Sequence, residues 1–319
     1  MAAEIYIISG FLGAGKTTLI QKLLRETFSK EKMVLIENDF GAISIDAALL
    51  KSGGIEVKEI NSGCICCSLS GDFVKAMKEL LGRFHPDKIV IEPSGVGKLS
   101  DIIKACSDPR IQPFAKIKKK ITVVDVKRCK LYLDNFGEFF EDQIKNADVV
   151  LLSRSEDFPD RVKDAHKLVR SLNAHAAIVS KPWDQINTAE LLHPHDHDHH
   201  EHTEHCHEHG CGCAHSGHDH GHACEHSHSA EEAFDTVTIR TKRVFSMEDL
   251  KARVSNMEQS AKGTILRAKG IVRSANGYIN LQYLPGDIRI TGCAVGGGML
   301  CIIGRNLNRQ ELCALFGGE

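Results

Sequence analysis

Gly10-Phe11-Leu12-Gly13-Ala14-Gly15-Lys16-Thr17 fits the phosphate-binding pattern G-x-x-x-x-G-K-[ST]. Ile5-Tyr6-Ile7-Ile8 before it suits a buried strand, and Leu19, Ile20, Leu23, Leu24 and Phe28 after it recur at helical spacing. A strand, a glycine turn and a helix N-terminus therefore follow one another. Gly10, Gly13, Ala14 and Gly15 let backbone N–H groups face phosphate oxygens, with Lys16 as a point charge on the β/γ oxygens, Thr17 as a Mg²⁺ ligand and Thr18 beside it. A glycine-rich turn matching by accident is the competing reading, and the flanking strand and helix disfavour it.

Mg²⁺ needs a second, acidic anchor. The run Lys88-Ile89-Val90-Ile91 leads into Glu92-Pro93-Ser94-Gly95, and a carboxylate at the tip of a buried strand is where nucleoside triphosphatases hold the ion. Glu92 is the candidate, with Gly95 offering its N–H to the γ-phosphate. Read alone, Glu92 would be a strand-end residue facing solvent.

Asn61-Ser62-Gly63-Cys64-Ile65-Cys66-Cys67 is the second chemical signature. Three thiolates on one short loop can hold a soft or borderline cation and leave a position open for transfer. A buried cysteine cluster or a redox pair are the alternatives.

The chain has 319 residues, 42% of them hydrophobic, enough for one large and one small core. No stretch suits a bilayer span and none a secretory leader, so a cytoplasmic protein with reduced thiols is expected, including Cys106, Cys129, Cys293, Cys301 and Cys313. Fifteen of the eighteen histidines fall between His193 and His228, with Cys206, Cys211, Cys213 and Cys224. That tract carries seven acidic residues and no lysine or arginine, so the remainder is +5 against −2 for the whole chain. Neither part is charged enough to suggest nucleic acid. The tract cannot bury apolar surface and reads as a disordered linker with weak, promiscuous metal sites, or as a solvated spacer.

Three regions follow: a phosphate-loop domain over 1–185, the linker over 186–231 and a C-terminal domain over 232–319. Upstream, strands at 34–36, 89–91, 121–124 and 149–152 alternate with helical segments such as 72–81 and 161–172. The expected class is α/β, a mainly parallel doubly wound sheet. Downstream, strands at 234–245, 264–272, 278–283 and 299–303 with helices at 247–257 and 310–316, the last capped by Asn308, predict a small α+β module.

These residues together resemble the CobW-type metallochaperone GTPases, relatives of the urease and hydrogenase nickel-insertion GTPases. The resemblance covers nearly the whole chain. It rests on residues 9–18, on Glu37-Asn38-Asp39-Phe40-Gly41, on Gly63 to Cys67, and on Glu92-Pro93-Ser94-Gly95. Val123-Val124-Asp125, Gln143-Ile144 with Ala147-Asp148, the histidine-rich insert, Arg267-Ala268-Lys269-Gly270 and Ile303 to Leu307 extend it. It implies GTP-dependent delivery of a metal, Zn²⁺ or Co²⁺ before Ni²⁺, to a client metalloprotein, with a homodimer as a candidate assembly. Glu37 and Asp39 then fall in a switch segment, Glu37 as an additional ligand beside Cys64, Cys66 and Cys67, and Asp39 as a further Mg²⁺ candidate.

One departure concerns the base. Where the family usually has Asn-Lys-x-Asp, this chain has Ser153-Arg154-Ser155-Glu156. Glu156 can still accept from guanine and Arg154 can lie over the ring, but the asparagine amide is gone. GTP is the first choice and ATP the alternative. A metal buffer with a regulatory nucleotide site and a phosphate-loop phosphotransferase are the competing functions.

Overall fold

Both parities of the first strand are apolar, which suits a strand covered on both faces. A computed structural model of the chain describes residues 2–28, 32–37, 56–59, 72–192 and 233–318. In it β1 (Ala3–Gly10) lies centrally in a seven-stranded sheet with β2 (Met33–Glu37), β3 (Glu56–Glu59), β4 (Lys88–Glu92), β5 (Ala115–Asp125), β6 (Val149–Ser153) and β7 (Ala177–Val179). The order is β3-β2-β4-β1-β5-β6-β7 and every pairing is parallel.

Side-chain parity sets the layers. Tyr6, Ile8, Leu35, Val90 and Leu151 pack beneath α1 (Lys16–Glu26) and α6 (Thr188–Leu192). Ile5, Ile7, Ile36 and Ile91 face α2 (Asp72–Phe84) and α3 (Leu99–Cys106), while Val150 and Leu152 meet α4 (Cys129–Lys145) and α5 (Pro159–Leu172). The sheet is doubly wound, as expected, and the chain leaves β1 for opposite sides at β4 and β5. Ligands collect outside the strand ends at such a point.

The folded part of this domain runs past the boundary read at 185. Ile186, Leu191 and Leu192 are buried with the helix α1 residues Leu19 and Leu23, and the Thr188 hydroxyl bonds Thr27 at 2.7 Å. A short apolar helix next to a histidine-rich tract gave too little periodicity to separate from it.

The C-terminal unit is a five-stranded antiparallel sheet in the order β11-β10-β9-β12-β8. Its strands are β8 (Asp235–Arg240), β9 (Thr264–Ser274), β10 (Gly277–Leu284), β11 (Asp287–Cys293) and β12 (Met299–Arg305). Helices α7 (Met247–Ser260) and α8 (Arg309–Phe316) cover one face, with Ser246 and Asn308 accepting from the backbone N–H of Asp249 and Glu311. The strand expected over 234–245 stops at Arg240, because Thr241 turns to donate its hydroxyl to the Gly317 carbonyl at 3.0 Å. Strand β11 was not expected; it is a half-exposed edge, paired among the described strands with β10 alone. The sheet's other face packs on α4: Phe234, Leu266, Cys301 and Ile303 share a core with Phe136 and Phe139.

Candidate nucleotide and metal site

The turn after β1 is built on glycines, most strictly at Gly10. Gly10 has φ 141° and a Cβ there would lie 2.4 Å from the Val123 carbonyl oxygen of β5. Gly13 and Gly15 have φ 70° and 110°, and Gly15 caps α1. Left-handed backbone at these points turns N–H groups toward the helix N-terminus, where an anion is favoured. Phe11 anchors the loop from behind, 4.4 Å from the Tyr132 ring and 5.5 Å from Phe136, and the Tyr132 hydroxyl donates to the Leu12 carbonyl at 3.2 Å.

A cleft of about 390 Å³ opens at this strand end, and Gly13, Ala14, Gly15, Lys16, Thr17, Thr18, Glu37, Glu92 and Gly95 line it. The Lys16 ammonium lies 3.4 Å from the Phe11 carbonyl, folded back on its own loop. The Thr17 hydroxyl is 3.4 Å from both carboxylate oxygens of Glu92. Two hard oxygens at that separation can share one Mg²⁺, whose adjacent octahedral ligands stand about 3 Å apart. Glu37 and Glu92 are register partners on β2 and β4, so two carboxylates stand side by side at the strand tips. The loop bearing Gly95 is held from α4, where the Gln143 amide donates to the carbonyls of Gly95 and Gly97 at 3.2 and 2.8 Å.

At the base end, the Ser153 hydroxyl donates to the Ala14 carbonyl at 2.6 Å, tying β6 to the phosphate loop. Arg154, with φ 59°, pairs with Asp125 at 3.3 Å and with Asp287 at 3.5 Å. Two carboxylates thus hold the Arg154 guanidinium at the cleft it lines. Glu156 lines the cleft, as does Asp157, a second carboxylate that the sequence reading passed over because it took the motif to end at Glu156.

The wall opposite the phosphate loop comes from the C-terminal sheet: Arg267, Lys269, Gln282, Leu284 and Arg289. Spacing alone could not place these residues, since 250 to 279 positions separate them from residues 10–17 of the loop they face; Arg267 to Gly270 stood only as a motif without a role. Burial pulls the Lys269 ammonium down to about 8, with Cys301 and Glu37 opposing and Lys16 adding to the shift. Asp39, Cys64, Cys66, Cys67 and the tract from His193 to His228 lie outside the described residues, and among the described residues no cluster of three or more histidine, cysteine or acidic side chains could hold a metal.

Residues 4–180 match the CobW/HypB/UreG nucleotide-binding domain and residues 234–318 the cobalamin synthesis protein CobW C-terminal domain. The chain belongs to the CobW/HypB/UreG family. It is 35% identical over 153 residues to the zinc chaperone YeiR of Escherichia coli, covering 47% of this chain and 46% of that protein. Against the zinc chaperone CobW of a Sinorhizobium species it is 35% identical over 178 residues, covering 47% and 50%. The chain thus spans about half the length of the curated relatives it matches. The Zn(II)-bound YjiA GTPase from E. coli superposes with a TM-score of 0.46 at 18% identity, over 99% of this chain and 98% of that one.

Proposed function

We propose that the chain is a GTP-hydrolysing metallochaperone that receives a transition metal and passes it to a client metalloprotein. The observation carrying this reading is the convergence of Lys16, Thr17 and Glu92 on one cleft, with Glu37, the last residue of β2, beside Glu92. Lys16 binds the β/γ oxygens, the loop N–H groups cradle them, and Thr17 and Glu92 would hold Mg²⁺, which neutralises phosphate charge when bound. Water attacks the γ-phosphorus and the bond to the β–γ bridging oxygen breaks, its electron pair leaving on GDP and the water proton passing to the released phosphate. Glu156 or Asp157 would accept from the guanine edge, which favours GTP over ATP.

Relatives named zinc chaperones make Zn²⁺ the first cargo to test, before Co²⁺ and Ni²⁺. Cys64, Cys66 and Cys67 with Glu37 would be its ligands, the tract from His193 to His228 a set of weaker sites, and Asp39 a further Mg²⁺ candidate. No described helix is long and apolar enough to cross a membrane. A cytoplasmic protein with no nucleic-acid partner, a homodimer as a candidate assembly, and the three-region layout complete the reading.

The test is GTP hydrolysis by the full chain with and without Zn²⁺, in the absence of any phosphoryl acceptor. Phosphate release that rises with metal and vanishes in Lys16→Ala supports it. Turnover only with an added acceptor would make the protein a phosphotransferase, and metal binding indifferent to nucleotide would make it a buffer.

A further inference from the structure

The strand pairings of the C-terminal sheet put Arg289, Gln282, Lys269 and Cys301 in one row: Arg289 pairs with Gln282, Gln282 with Lys269, and Lys269 with Cys301. Directly paired residues share a face of a sheet. Cys301 packs with the α4 core, so this is the face turned toward the nucleotide-binding domain, and Arg289, Gln282 and Lys269 all line the cleft. Arg267 joins them and donates to the Gln282 amide oxygen at 3.3 Å. Residues of β9 that face the helices instead, such as Ala268 and Val272, are apolar.

Lys269 is only 2% exposed and feels Glu37 as an attraction and Lys16 as a repulsion. Lys16 on the phosphate loop and Lys269 on the facing wall thus bring two ammonium groups to one cleft from separate domains. They are well arranged around a polyanion, whose charge offsets both.

We propose that Lys269, seconded by Arg267, contacts the terminal phosphate of bound GTP from the wall facing the phosphate loop, so that the C-terminal domain supplies in the same chain the cation that discriminates GTP from GDP and stabilises γ-phosphoryl cleavage. The contact lies across the cleft from Lys16 and reaches an oxygen that GDP lacks. Charge accumulates in the cleavage on the phosphoryl oxygens and the β–γ bridge, and a cation positioned there lowers the barrier without moving a proton. The nucleotide-dependent fit of the C-terminal sheet to the cleft follows from the same contact.

This inference rests on the nucleotide reading above, and the test separates the two. Affinities of the full chain for a non-hydrolysable GTP analogue and for GDP are measured by calorimetry, and kcat and KM for GTP by phosphate release, in Lys269→Met, Lys269→Arg, Arg267→Gln and Lys16→Ala. A charge-assisted hydrogen bond is worth roughly tenfold or more in affinity. Lys269→Met is therefore expected to lose about tenfold or more for the analogue and less than about threefold for GDP, with kcat falling by at least the same factor; Lys269→Arg restores part of both. Arg267→Gln repeats the pattern more weakly and serves where Lys269→Met does not fold. Equal losses for analogue and GDP, or no loss for either, overturn the proposal, as do equal effects of Lys269→Met and Lys269→Arg. If Lys16→Ala leaves both affinities unchanged, the nucleotide reading itself fails; if it weakens both while the C-terminal variants change neither, only this proposal fails.

Discussion

Arg154, the second residue of the segment expected to read the base, is ion-paired across the domain boundary with Asp287 at the start of β11, 3.5 Å away. The same guanidinium reaches Asp125 at 3.3 Å, and Asp125 also accepts from Arg128 at 3.0 Å, which in turn donates to the Pro285 carbonyl at 3.2 Å. A buried carboxylate thus organises two arginines, and both of them grip the turn between β10 and β11. The two acids should differ in weight. Asp125 has no exposed side-chain surface, and its removal leaves two guanidinium groups without their shared partner, so Asp125→Ala should destabilise the protein by about 3–5 kcal/mol. The Arg154–Asp287 pair is partly exposed, so Asp287→Ala should cost below about 1 kcal/mol. Urea denaturation of the two variants checks the order; equal costs would mean that Asp125 is not the organising group.

The phosphate loop offers a second contrast. At Gly10 a new Cβ meets the backbone of β5, which cannot move, whereas at Gly13 it meets the tip of Leu284, 2.3 Å from Cδ1. Both positions also have positive φ. Gly13→Ala should cost about 1–2 kcal/mol for its left-handed backbone, plus about 1–3 kcal/mol for the crowding. Adding Leu284→Ala should recover the crowding part, while no C-terminal substitution should rescue Gly10→Ala. Thermal unfolding of the single and double variants decides it, and strict additivity at Gly13 and Leu284 would show that the hairpin tip does not press on the loop.

The first domain was legible in the sequence because its information is local. A glycine pattern, a strand before it and a helix after it all fall within residues 5–28, and Glu92 sits at the end of an unbroken apolar run. The wall facing the phosphate loop was not legible in that way. Lys269 becomes part of the site only because Phe234, Leu266, Cys301 and Ile303 bury against α4, a tertiary contact that no periodicity encodes. The Arg154–Asp287 pair was hidden for the same reason: Asp287 lies on an edge strand whose half-exposed residues gave no strand signal.

Lys269 should leave a mark on stability as well as on nucleotide binding. Burial lowers its folded-state value to about 8 from an ordinary lysine value of 10.5. Below that folded value the amine is charged in both states and its burial is a full penalty. As pH rises from about 8 toward 10.5 the folded protein releases the proton before the unfolded chain does, so stability attributable to this group rises. Lys269→Met removes the penalty: the variant should be more stable than the parent at pH 7, by on the order of 3 kcal/mol from 1.36 kcal/mol per unit, with the gap closing toward pH 10. Urea midpoints at the two pH values, without nucleotide, test it. A variant less stable than the parent at pH 7 would show that the lysine is held by interactions stronger than its desolvation.

The remaining prediction joins the two cations through adjacent carboxylates. Glu37 and Glu92 are register partners on neighbouring parallel strands, whose backbones run about 4.8 Å apart, and Thr17 reaches both oxygens of Glu92. Two carboxylates so placed repel, and a cation bound at one lowers the cost of charge on the other. Nucleotide state at Thr17 and Glu92 should therefore alter metal affinity at Glu37 and the Cys64, Cys66, Cys67 segment that follows it in the chain, and linkage requires that metal alter GTP affinity by the same factor. Coupling energies of this kind are typically about 1–3 kcal/mol, so a shift of roughly fivefold or more is expected between the GTP-analogue and GDP states. Glu37→Gln should shrink the coupling while triphosphate still binds, and serine at the three cysteines should abolish it together with the tight site, because serine is a poor ligand for borderline ions. Deleting residues 193–228 should remove weak equivalents and leave the coupling intact, since the coupling runs through the adjacent Glu37 and Glu92. Competition with a chromophoric chelator under reducing conditions measures all of these. Zn²⁺ affinity identical in the two nucleotide states would mean that hydrolysis does not drive release through the Glu37–Glu92 pair, and metal transfer would then have to be driven by the client.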